Sequence, residues 1–174
     1  MTLMRVAHVL MFFLLFAVLP VASAGGLEVR HLDGRKSTLA AEIAGGHFTY
    51  VFIWTTYCGV CKQEYPKLSA FHTRHTGQNA EVLGIAIDGE AERDKVQTFM
   101  AGKPFSFPTV MAEPEAMAVA FKAATGEEFT GTPTYLVFNP ERELAGVHSG
   151  DLPAEALERF LTRHASSQKA QQAP

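Results

Sequence analysis

Cys58 and Cys61 stand three positions apart in a chain of 174 residues that contains no other thiol. Two sulfurs at this spacing can close a small ring. A thiolate on one can attack a foreign disulfide while the other resolves the adduct. The chemistry expected of the pair is therefore dithiol–disulfide exchange, with Cys58 attacking and Cys61 resolving. Three other uses fit less well. A four-residue ring is a weak staple, because loop-closure stabilisation grows with loop length. Zinc needs four ligands and there are no further cysteines, while His72 and His75 lie well along from the pair. Lys62 follows Cys61 where haem attachment requires histidine.

The elements around the pair are those such chemistry needs. Phe48-Thr49-Tyr50-Val51-Phe52-Ile53-Trp54 is almost wholly apolar, β-branched or aromatic, which predicts a central strand buried on both faces. A helix is expected from Cys58 to about His75, with Tyr65, Leu68 and Phe71 on one face. A cysteine in the first turn of that helix would face unpaired N–H groups and the positive end of the helix dipole, which favour thiolate. Glu64, three residues past Cys61, falls on nearly the same side of the helix. A carboxylate there disfavours thiolate and can carry a proton to or from Cys61.

Further along, Val82 to Asp88 is expected as a second buried strand and Phe107 to Met111 as a short one. Ala91 to Met100 and Glu113 to Ala124 are expected as helices. Tyr135 to Phe138 and Leu144 to Ser149 form a hairpin through Asn139-Pro140-Glu141, and Ala154 to His164 closes the fold as a helix. At the front, Leu27 to Leu32 and Lys36 to Leu39 flank the turn signal Asp33-Gly34. Strands alternating with helices, then a hairpin and a helix, predict an α/β fold with a mixed central sheet.

Residues 1–24 carry an address. Arg5 is the only formal charge before Glu28, Val9 to Leu19 is an apolar run of 11 residues, and Ala22-Ser23-Ala24 supplies a small-residue cleavage site. That run is shorter than the ~20 residues of a spanning helix. The expectation is a secretory signal cleaved near Ala24, with an uncleaved membrane anchor as the alternative. Residues 25–165 then form one domain and residues 166–174 a disordered tail. Cleavage leaves 14 basic against 18 acidic residues, a charge of −4. This argues against nucleic acid as a partner. The periplasm or another exported compartment is oxidising, so a dithiol there must be kept reduced by something else.

The stretch Trp54-Thr55-Thr56-Tyr57-Cys58-Gly59-Val60-Cys61-Lys62-Gln63-Glu64-Tyr65-Pro66 resembles the WxxxCxxCxxExP segment of TlpA/ResA-like proteins, the exported branch of the thioredoxin superfamily. Gly131-Thr132-Pro133-Thr134 is similar to the cis-proline loop of that superfamily, and Phe105 to Val110 to its FP-containing segment. The 72 residues between Cys61 and Pro133 leave room for the branch's extra strand and helix. The resemblance implies a thioredoxin-like fold with an N-terminal β-hairpin and a βα insertion. It also implies a redox-active Cys58–Cys61 disulfide, a cis bond before Pro133, and an extended substrate segment paired with the Thr132–Pro133 loop. Tyr57 is a further candidate contact for that segment, and Trp54 either contacts it or packs the core at the strand end. Disulfide-containing exported proteins would be the substrates, a membrane thiol reductase the electron donor, and a monomer the working unit. Relatives serve cytochrome c maturation among other tasks. No metal or other cofactor is implied.

Two departures stand out. Plain thioredoxins carry a buried acid on the central strand, six residues before the first cysteine. Here that position is Phe52, so the proton task falls to Glu64 or to water. Tyr57 replaces the tryptophan common before the first cysteine. With Gly59-Val60 between the cysteines no cation stabilises the Cys58 thiolate, which points to the reducing direction. Two other functions use the same residues. A copper chaperone would need Cys58, Cys61 and a histidine or methionine. A peroxidase would use Thr55 three residues before Cys58, but the proline expected four residues before that threonine is Val51.

Overall fold

The structure, a computed structural model, describes residues 26–103 and 105–171. The expected export signal and residues 172–174 of the expected tail lie outside them. Strands β1 (Glu28–His31) and β2 (Lys36–Thr38) form the opening hairpin, and a one-turn helix α1 (Leu39–Glu42) follows. Then come β3 (Phe48–Trp54), α2 (Cys61–His75), β4 (Ala80–Ala86), α3 (Arg93–Ala101), β5 (Thr109–Met111) and α4 (Pro114–Thr125). The hairpin β6 (Thr134–Phe138) and β7 (Leu144–Ser149) leads to α5 (Ala154–Gln171). One seven-stranded sheet runs in the order β2-β1-β5-β4-β3-β6-β7. β4 pairs parallel with β3 and β5, and the remaining pairs are antiparallel, so the sheet is mixed.

The period-2 alternation of β3 divides the core. Tyr50, Phe52 and Trp54 point into one apolar cluster with Leu68 and Phe71 of α2, Val96 of α3 and Leu157 of α5. Val51 and Ile53 point into the other, against Leu39 of α1 and Met117 and Phe121 of α4. Every residue of β3 is buried, as a two-faced central strand requires. Close approach of β5 to β4 depends on Gly84. A Cβ there would lie 2.5 Å from Thr109 Oγ1 and 3.2 Å from the Phe107 ring.

Three sequence expectations shift. Helix α2 starts at Cys61 and not at Cys58, because Cys58-Gly59-Val60 is spent on the turn that leads out of β3. α1 was not anticipated. Its signal was local: the Thr38 side chain accepts from Ala41 N–H at 3.3 Å and caps a four-residue turn. α5 continues through Gln171, so residues 166–171 of the expected loose tail are helical. Ala, Gln and Lys are good helix formers, and neither Gly nor Pro interrupts them before Pro174.

α2 is fastened to the sheet by a polar contact as well as by packing. Val82 N–H donates to Nδ1 of buried His72 at 3.0 Å. Protonating that nitrogen would break the bond, and burial pushes the His72 pKa down from its ordinary value. The unfolded chain then takes up a proton near pH 6.5 that the folded protein refuses. The stability His72 contributes is therefore full above about pH 6.5 and is lost as pH falls below it. Chemical denaturation between pH 7.5 and 5.5 should show the wild type losing its advantage over His72→Asn. An unchanged gap between the two would refute this assignment.

Candidate functional site

The carboxyl ends of the parallel strands β3 and β4 converge on one edge of the sheet, where the backbone leaves β3 for α2. Such an edge is where open α/β sheets place their chemistry. β3 ends at Trp54, and the turn beyond it is held from β4. The Asp88 carboxylate accepts from Thr56 N–H at 3.1 Å and from the Thr56 hydroxyl. Cys58 N–H reaches back to Thr55 O at 3.3 Å. This fixed turn sets Cys58 just ahead of the helix.

Cys58 and Cys61 form a disulfide, S–S 2.08 Å, with Cα atoms 5.3 Å apart. The two sulfurs differ in access. Cys58 is partly exposed, whereas Cys61 is buried at 2%. Cys61 N–H points at Cys58 Sγ, 3.1 Å away, so a first-turn donor already faces the sulfur that would carry charge on reduction. Access and electrostatics thus both favour Cys58 as the sulfur an incoming disulfide meets.

Glu64 lies beneath, one turn past Cys61, and is 1% exposed. Each of its oxygens has a partner. Oε1 pairs with Lys67 Nζ at 2.8 Å, and Oε2 accepts from the Tyr135 hydroxyl at 2.9 Å and from Leu152 N–H at 3.3 Å. Burial and the Glu64 charge push the Tyr135 pKa well up, so its hydroxyl stays a neutral donor. The bond to Glu64 raises the pKa of the half-exposed Lys67.

The other expected site residues divide. The register pairs Thr134 with Ile53, which puts Thr132 and Pro133 at the same end of the sheet as the cysteine turn. The Thr132–Pro133 bond is cis, Pro133 is buried and Thr132 half-buried. Tyr57 stands out at 71% exposure beside Cys58, with Lys95 Nζ 5.8 Å from its ring centroid. With Lys62, Lys95, Thr98 and Phe99 it lines a shallow groove. Trp54 is brought near but not to the surface. It is 1% exposed, packed on Phe99 at 5.5 Å and Phe105 at 5.3 Å, so it supports the site from inside and offers no face to a substrate. Phe52 fills the strand position where an acid was looked for, wholly buried and 5.4 Å from the Tyr135 ring.

Four groups escaped the sequence reading: Asp88, Tyr135, Lys67 and the Leu152 amide. Only Asp88 left a trace, as a charged residue directly after a buried strand at the sheet's working edge. Among the described residues, no group of three or more His, Cys, Asp and Glu side chains is placed to hold a metal ion. Among them, too, no helix is long and apolar enough to cross a membrane.

Comparison with known proteins agrees with the geometry. The sequence profile of the AhpC/TSA family matches residues 22–147. The chain is 22% identical over 116 residues to sporulation thiol-disulfide oxidoreductase A of Bacillus subtilis, covering 66% of this chain and 67% of that protein. It is 24% identical over 135 residues to the thiol-disulfide oxidoreductase ResA of Halalkalibacterium halodurans, covering 78% and 65%. These matches span about two thirds of the relatives' own length. A solved thiol:disulfide interchange protein of the thioredoxin family from Chlorobium tepidum superposes with a TM-score of 0.65 at 23% identity, covering 78% of this chain and 90% of that one. At that identity the likeness is one of fold, and it makes the seven-stranded architecture thioredoxin-like.

Proposed function

Because the chain belongs to the AhpC/TSA family, we propose that it is an exported thiol:disulfide oxidoreductase that reduces protein disulfides through Cys58 and Cys61. One observation carries this reading: an accessible Cys58 joined to a buried Cys61 at the start of α2. In the reduced protein the Cys58 thiolate attacks a substrate disulfide. One substrate sulfur leaves and Cys58 becomes joined to the other. Cys61 gives up its proton and attacks Cys58, so the Cys58–Cys61 bond forms and the second substrate sulfur departs as a thiol.

Glu64 is proposed as the group that takes the Cys61 proton, and the Thr132–Pro133 segment with Tyr57 as the surface on which an extended substrate strand lies. Gly59-Val60 offers no cation to Cys58, which supports the reducing direction. A membrane thiol reductase is proposed to return electrons to the pair, since an exported dithiol does not stay reduced unaided. Export through a signal cleaved near Ala24, to the periplasm or an equivalent compartment, rests on the sequence pattern of residues 1–24.

Cys61→Ala tests the reading, because without the resolving sulfur the adduct has no way out. Cells producing this variant should accumulate Cys58-linked mixed disulfides in the exported fraction, visible as thiol-sensitive bands on non-reducing gels. If Cys58→Ala accumulates the same bands, Cys58 is not the nucleophile.

A further inference from the structure

Tyr135 is wholly buried, and a phenylalanine would fill its place against Phe52 equally well. What the hydroxyl adds is one bond, to Oε2 of Glu64 at 2.9 Å. Resting on the exchange reaction proposed above, we propose that Tyr135 is a positioning residue for resolution: its hydroxyl holds the Glu64 carboxylate in place beside Cys61.

The three donors to Glu64 are of two kinds. Those on Oε2, the Tyr135 hydroxyl and the Leu152 amide, come from β6 and from the loop between β7 and α5. They belong to the folded interior and are fixed before substrate arrives. The donor on Oε1 is Lys67, whose side chain is 46% exposed and can trade its place for water. One oxygen is thus anchored and the other faces the solvent side. A carboxylate removed from water needs such bonds in place of its hydration. Cys61 and Glu64, three apart on α2 and both turned inward, are neighbours on that helix.

The step balances as follows. The Cys61 S–H bond breaks and its proton passes to Glu64, leaving a thiolate. That thiolate attacks the Cys58 sulfur of the mixed disulfide, the Cys58–substrate bond breaks, and the substrate thiolate takes a proton from water. Glu64 returns its proton to water on the Lys67 side. Two electrons move from the protein dithiol to the substrate disulfide. Tyr135 exchanges no proton and only fixes where the carboxylate waits.

Tyr135→Phe, Glu64→Gln and the double variant can be compared in the mature chain with 5,5′-dithiobis(2-nitrobenzoate) as the probe disulfide. Attack and resolution each release one coloured thiolate, and the phase whose rate is independent of probe concentration is resolution. Tyr135→Phe should slow that phase about tenfold at pH 7 while leaving the probe-dependent attack phase unchanged, because the carboxylate is no longer held beside Cys61. Glu64→Gln should slow it at least as much, and the double variant should be no slower than Glu64→Gln alone. The Glu64 carboxyl 13C chemical shift of the reduced protein at pH 7 should move in Tyr135→Phe, a readout that simple loss of packing would not produce. A Tyr135→Phe resolution rate equal to that of the wild type overturns the proposal. So does a wild-type rate retained in Glu64→Gln, or a double variant slowed by the product of the two single effects. A wild type that releases no coloured thiolate overturns the exchange reaction itself, and this inference with it.

Discussion

Cys58→Ala lowers disulfide exchange by at least a thousandfold while leaving the fold in place. No other sulfur can take over: Cys61 is the only remaining thiol and is 2% exposed. Loss of a covalent nucleophile commonly removes three or more orders of magnitude in rate. The accompanying change in stability is small and has a different origin. Breaking a four-residue ring releases about 2 kcal/mol of loop entropy on the chain-entropy relation. Cys58→Ala and Cys61→Ala open the same ring, so both should be about equally less stable than the oxidised wild type. Their chemistry nevertheless separates completely, since Cys61→Ala still forms adducts and Cys58→Ala does not. Insulin reduction assays alongside guanidinium unfolding would check both halves. Residual exchange above a thousandth of wild type in Cys58→Ala would mean that Cys61 is reachable despite its burial.

The part of this site written locally was legible from the sequence. β3 betrayed itself through seven consecutive residues able to be buried, and the cysteines followed at the only place a strand passes directly into a helix with two thiols. The slip of three residues at the start of α2 shows the limit of such reading. Cys58 looks helical by spacing, but the chain needs Cys58-Gly59-Val60 to turn, and that need arises from where β3 and α2 must sit. The carboxylate network was less legible still. Glu64 could be singled out from its distance along the helix to Cys61. Its anchors could not, because Tyr135 is 71 residues away and Leu152 is 88 away. Tyr135 reads as an ordinary strand aromatic until β6 is laid against β3. Asp88 likewise acquires meaning only when β4 pairs with β3 and brings it to the Thr56 amide. Side chains joined through sheet register leave no periodic trace in either partner.

Moving the buried acid from helix to strand has the largest expected effect on stability. Phe52→Asp would place a carboxyl on β3 at a position with no exposure, walled by Trp54 at 6.4 Å, Phe107 at 6.4 Å and Tyr135 at 5.4 Å. Donors are scarce among these rings. The Tyr135 hydroxyl is already given to Glu64 and Phe107 has none, which leaves only the buried, unpartnered indole N–H of Trp54. The substitution forfeits a packed aromatic, about 3–5 kcal/mol by large-to-small precedent, and adds a buried carboxyl for which the surrounding rings hold at most one free donor, the Trp54 N–H. A loss of at least about 4 kcal/mol at pH 7 follows. Its pH dependence carries the sign of a carboxyl whose pKa is raised on folding. The penalty relative to wild type grows as pH rises above the unfolded value of about 3.9 and shrinks toward acid. Phe52→Asp with Glu64→Gln should recover part of the loss, because the interior then holds one carboxylate and not two. Phe52→Leu, with no charge to bury, should cost far less. Urea unfolding of the four proteins at pH 7 and pH 5 would decide it. If Phe52→Asp proved as stable as Phe52→Leu at both values, the interior could host an acid on either element. The choice of Glu64 would then owe nothing to the packing of Phe52.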